Sequence, residues 1–90
     1  MDDRLIGARR ADVVVAEVDG CVTIFHAGRA EVTTLNQTAT TIWELCGVAQ
    51  PVSVLVAAVS ERYGVNESVI ADQVRHTIET FMERDLLEPT

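Results

Sequence analysis

Two cysteines and two histidines carry the side chains here that suit a nucleophile, a general base or a zinc ligand: Cys21, Cys46, His26 and His76. A nucleophilic thiol needs a base within hydrogen-bond reach, and that base needs a third group to orient it. Neither cysteine has an adjacent histidine. Cys46 falls on the apolar repeat Ala39, Ile42, Trp43, Cys46 and reads as a small core side chain. Cys21 starts a strand beside a turn. A closed zinc site uses ligands paired a few positions apart. The cysteines stand 25 positions apart and the histidines 50. No glycine-rich run resembles a phosphate cradle. Asp72, Glu79 and Glu83 read as the solvated face of an amphipathic helix. The sequence therefore predicts no catalytic residue, no metal and no cofactor.

Charge narrows the partners. Fourteen acids face seven bases, a net charge of −7, and every base is an arginine. Binding phosphates needs clustered Lys and Arg, so this balance argues against nucleic acid. No stretch approaches the roughly 18 apolar residues that span a bilayer, so no membrane partner is expected. The opening MDDRLIGARRADV has no apolar core of a signal peptide. The expected compartment is the cytoplasm, where both cysteines stay thiols. Ninety residues make one domain over 1–90.

The elements must then be read from pattern. Residues 1–11 look like a loose lead-in and 12–35 like a β-meander. Val13 to Val18 is β-branched, and Asp19-Gly20 is a strong hairpin signal. The returning strand, Cys21 to His26, sets Val22, Ile24 and His26 on one face and Thr23 and Phe25 on the other. Gly28 marks the next turn, and Ala30 to Thr34 form a third strand. Residues 36–87 read as three helices. Asn36 caps the first and Gly47 follows its end. Pro51 suits the first turn of the second, whose inner stripe is Val52, Leu55, Val59 and Tyr63, with Gly64 at its end. Asn66 caps the third, whose stripe is Ile70, Val74, Ile78 and Phe81. Leu86 and Leu87 fold back onto the core. The fold class is α+β: a winged helix-turn-helix-like domain, a three-stranded antiparallel meander followed by three α-helices.

A winged helix reads DNA with its third helix in the major groove. Here that helix carries Glu67, Asp72, Glu79 and Glu83 against Arg75 and Arg84, and the wing offers only Arg29. A DNA-binding or transcription-partner module is therefore the alternative reading. The third strand offers a different opportunity. It ends the meander, so one side has free N–H and C=O groups to which an extended peptide can add as a further strand. The same edge can pair with a second copy, giving a monomer or a weak homodimer.

Several local words resemble the PqqD family: Leu35-Asn36-x-Thr38-Ala39, Trp43-Glu44-Leu45, Glu61-Arg62-Tyr63-Gly64-Val65 and Glu83-Arg84-Asp85-Leu86-Leu87. The resemblance covers nearly the whole chain. It implies a non-catalytic recognition element that binds the leader segment of a ribosomally made precursor peptide. It also implies presentation of that leader to a modifying enzyme: a radical SAM enzyme, a cyclase or a leader peptidase. Carried over by position, the peptide would lie between Ala30, Glu31, Val32, Thr33 and Thr34 on one side and the third helix on the other. The helix wall would come from Val69, Ile70, Gln73, Val74 and Thr77, with Ile70 and Val74 as floor. Asp72 and His76, on the other flank, are the alternative wall. Acids such as Glu31 and Asp72 would favour a leader with basic residues.

Overall fold

The Asp19-Gly20 pair takes the conformation its residue types favour. Both residues have positive φ, 54° and 80°, which gives a two-residue turn whose twist matches its strands. The computed structural model describes residues 3–89; Met1, Asp2 and Thr90 of the expected domain lie outside the described residues. Along the chain run β1 (Leu5–Ile6), β2 (Val14–Val18), β3 (Cys21–His26), a 3-10 turn (Ala27–Arg29), β4 (Glu31–Thr34), α1 (Gln37–Leu45), β5 (Gln50–Pro51), α2 (Val52–Tyr63) and α3 (Glu67–Glu83).

The main sheet has the antiparallel order β2-β3-β4. Phe25 pairs with Val14 on one side and Val32 on the other, while Ile24 pairs with Val15 and Thr33. Alternation does the rest. Val22, Ile24 and His26 are buried against the helices, and the row Val14, Phe25, Val32 lies on the exposed outer face. The sheet followed by three helices is the expected α+β, winged-helix-like architecture.

The third strand begins one residue later than the sequence suggests. His26 already pairs with Glu31, so residues 27–30 must reverse the chain. Ala27–Arg29 coil into the 3-10 turn, and Ala30 closes it in the left-handed region at φ 52°, donating its N–H to the Ala27 carbonyl at 3.2 Å. Ala30 therefore belongs to the turn.

The expected loose lead-in needs a larger correction, for residues 3–10 form part of the framework. Leu5 and Ile6 pair with Pro51 and Gln50. Ile6 is 2% exposed. The Arg9 and Arg10 N–H groups donate to the carbonyls of Cys46 and Leu86, and the Glu88 N–H donates to Ala8. Asp3 completes the start of α2, accepting from the Ser53 N–H at 2.9 Å and the Ser53 hydroxyl at 2.8 Å. Pro51, the residue at the cap position, has no side-chain hydrogen bond to offer. A carboxylate borrowed from the chain start supplies what it lacks and suits the positive end of the helix dipole.

The other helix signals hold locally. The Asn36 side chain accepts from Ala39 N–H, and the Asn66 side chain from Ser68 N–H. Gly64 ends α2 at φ 65°. Ile42, Trp43, Cys46, Leu55, Val56, Val59, Val74, Ile78, Phe81 and Leu86 fill the core. Trp43 and Phe81 meet edge to face, 5.5 Å between ring centroids. Tyr63 departs from its expected core position: it is 39% exposed, and its hydroxyl meets that of Thr41 at 2.8 Å. A phenol at a helix end next to a threonine hydroxyl keeps its polar tip satisfied by standing out of the core.

Candidate functional site

β4 is the edge of the main sheet beside α3, and its free polar groups can be assigned from one hydrogen bond. The Leu35 N–H donates to the Val22 carbonyl at 2.8 Å. In an antiparallel ladder the main-chain groups of successive residues point to opposite sides. Thr33 and Glu31 share the parity of Leu35 and so turn their N–H and C=O toward β3. Val32 and Thr34 turn theirs outward, toward the free edge.

That edge opens onto a cleft of about 260 Å³, bounded by Val32, Thr33, Thr34, Leu35, Asn36 and Ala39 on one side and His76, Thr77, Thr80, Phe81 and Arg84 on the other. Small-molecule pockets usually hold roughly 300–1,000 Å³ and enclose their ligand. This one is smaller and open along its length. Leu35 and Phe81 are buried and make its floor. The Thr77 and Thr80 hydroxyls donate to carbonyls one helical turn back, those of Gln73 and His76. Their hydrogen-bonding need is thereby met within the helix, which suits a wall against apolar side chains. Arg84 reaches across to the Thr33 hydroxyl at 3.4 Å.

The structure sorts the expected residues. Val32, Thr33, Thr34 and Thr77 line the cleft. Glu31 stands beside it, its carboxylate paired with Arg29 at 2.9 Å. Val69 and Gln73 share the exposed helix row that continues through His76, Thr77, Thr80 and Arg84, but they sit at the other end of α3, outside the cleft. Ile70 and Val74 are core residues, 8% and 0% exposed. Asp72 is fully solvated and lies 3.6 Å from Arg75. Sequence reasoning did not single out Leu35, Ala39, Thr80, Phe81 or Arg84 as cleft residues. Continuing the helix row from Gln73 and Thr77 by four reaches Phe81, and by three and then four reaches Thr80 and Arg84; Leu35 and Ala39 join only through the fold.

Of the four residues with reactive chemistry only His76 lines the cleft; Cys21, Cys46 and His26 lie elsewhere. His26 is buried, with Nε2 3.2 Å from Asp85 Oδ2, the oxygen that also accepts from Arg10. Arg10 clamps both oxygens of Asp12 as well, and that charge-assisted pair holds the Asp12 carboxyl down at about 2. Burial pushes the Cys46 thiol up to about 12, so it stays protonated and unreactive at neutral pH. No group of three His, Cys, Asp or Glu gathers to hold a metal among the described residues.

The family model described as Coenzyme PQQ synthesis protein D (PqqD) matches residues 21–87. The chain belongs to the PqqD family. The matched span takes in β3, β4, all three helices and both walls of the cleft. No curated protein matches this PqqD-family chain. Among solved structures it resembles TbiB1 in complex with the TbiA(beta) leader peptide, with a TM-score of 0.77 and 22% identity, covering 92% of this chain and 96% of that one. At that identity the likeness shows that the two share a fold.

Proposed function

We propose that this protein is a non-catalytic recognition element for the leader segment of a ribosomally made precursor peptide. The leader adds as a fourth strand to β4 beside α3, and the complex presents it to a modifying enzyme or leader peptidase. The observation that carries this reading is the free edge of β4. Val32 and Thr34 offer two N–H donors and two C=O acceptors beside an open cleft with a buried apolar floor. Main-chain pairing supplies affinity for any extended peptide, and the cleft supplies register. Membership of the PqqD family supports the reading. So does the shared fold with TbiB1, a protein seen with a leader peptide on it.

Replacing Val32 with proline tests it. Proline removes an N–H that points away from β3, so the β3–β4 ladder keeps its bonds. Backbone amide NMR is followed during titration with synthetic leader segments of candidate precursor peptides. In the wild type, shifts gather at residues 31–36 and 76–84. Val32→Pro keeps a folded spectrum and loses binding at least tenfold, about 1.4 kcal/mol. Undiminished binding by the proline variant would refute strand addition at this edge.

A further inference from the structure

The cleft carries one fixed charge, and it is positive. Among its lining residues there is no Asp or Glu; Arg84 is the only permanently charged side chain and His76 the only other titratable one. This stands out in a chain of net charge −7. Arg84 is half-buried and, among the described residues, has no carboxylate within ion-pair distance; its one side-chain hydrogen bond is the long one to Thr33. Three other arginines are matched to carboxylates, Arg10 to Asp12 and Asp85, Arg29 to Glu31 and Arg75 to Asp72, and Arg9 donates to the carbonyls of Trp43 and Glu44; Arg4 and Arg62, like Arg84, have no ion pair among the described residues, but neither lines this cleft. The acids that suggested a basic ligand, Glu31 and Asp72, are thus already paired, and neither lines the cleft. A guanidinium offers a planar fork of donors that matches a carboxylate, and one held in a cleft beside a free strand edge leaves most of those donors open.

We infer that Arg84 is a specificity-determining residue that pairs with an acidic side chain of the bound peptide. The inference rests on the strand-addition reading and adds a sequence rule to it. Arg84 meets β4 at Thr33, and the apolar floor begins at Leu35, two residues along. Side chains two apart on a strand share a face, roughly 6.6 Å apart. The peptide strand should therefore place Asp or Glu on its helix-facing side. An apolar residue two positions away drops toward Leu35 and Phe81.

The probe is a phage-displayed library of random dodecapeptides, selected on the wild type and on Arg84→Glu, with folding of each checked by circular dichroism. On the wild type, enriched peptides carry an acid two positions from an apolar residue; on Arg84→Glu, Lys or Arg takes the acid's place. The consensus peptide and its Glu→Gln or Asp→Asn form are then titrated calorimetrically against the wild type and Arg84→Gln. The acidic peptide loses about tenfold in affinity on Arg84→Gln, and the neutral peptide loses nothing further, the signature of a coupled pair. If Arg84 merely braced α3 against Thr33, acidic and neutral peptides would weaken alike, and the inference falls. It falls too if the selected peptides show no acid, or the same acid on Arg84→Glu; strand addition then survives, because peptides still bind. If no peptide is enriched on the wild type, both readings fall.

Discussion

Asp85 occupies a conformation that glycine usually takes. It follows the end of α3 at φ 57°, the Leu86 N–H donates to the Phe81 carbonyl, and its own N–H donates to Met82. That is a Schellman ending, where the left-handed residue is most often Gly. An aspartate earns the position because its carboxylate binds Arg10 and His26, tying the helix end to the chain start and to β3. Ala30, at φ 52°, has no such compensation, since a methyl group makes no polar bond. Ala30→Gly should therefore raise stability by about 0.5–1 kcal/mol, the left-handed strain exceeding the extra freedom glycine gives the unfolded chain. Urea unfolding of the two proteins checks it; a lower midpoint for the glycine variant would contradict the argument. At this scale the sequence was readable where a side chain acts on its own neighbours, as at Asp19-Gly20, Asn36 and Asn66. It was opaque at Ala30, because the turn's length depends on where the β3–β4 register begins.

At the scale of elements, the segment around β1 is the part that local pattern could not disclose. Leu5 and Ile6 make two pairings with residues more than forty positions away, and nothing in LIGARR announces a strand. Its fit is nonetheless tight. A Cβ on Gly7 would stand 1.8 Å from the Glu88 carbonyl oxygen, a backbone atom that cannot swing aside. Gly7→Ala should destabilise the fold by about 1–3 kcal/mol through overpacking, read as a lower urea midpoint; an unchanged midpoint would mean that the two segments part freely. The cleft has the same mixed legibility. Its β4 wall follows from the free edge of the meander, and Thr77 from the resemblance to the PqqD family. Which further α3 residues line it, Thr80, Phe81 and Arg84, depends on which half of α3 lies against β4. Helix packing on the sheet decides that, and the step of four along the helix is silent on it.

At the scale of the whole molecule, charge organises behaviour. The exposed side of α3 bears Glu67, Asp72, Glu79 and Glu83, while Arg75 leans on Asp72. This is a poor surface for phosphates. No helix is long and apolar enough to cross a membrane among the described residues. The acid-side stability should be set partly by Asp12 and Asp3. Hydrogen bonds from Arg10 hold the Asp12 carboxyl at about 2, below its ordinary 3.8, and the Ser53 N–H lowers that of Asp3. Depressed folded values mean that the stabilisation is complete above the unfolded value and is lost as pH falls through the folded one. The urea midpoint should thus hold steady from neutral pH to about 5 and decline between about 4 and 2. The double variant Asp3→Asn, Asp12→Asn should start lower at neutral pH and decline less. An equally steep decline would assign the acid sensitivity to other carboxylates.

The hydrogen bond from Glu88 to Ala8 also has a topological consequence. It brings residues eighty positions apart to within 2.7 Å, so the domain closes on itself like a loop with a single seam. A linker from Pro89 back to Asp3 can close the loop with β1 kept in place, and the loop can be opened elsewhere, for instance at the solvent-facing Asp19-Gly20 turn. It follows that the domain is suited to circular permutation, and to being spliced between two segments of a larger enzyme, with β4 and its cleft left whole.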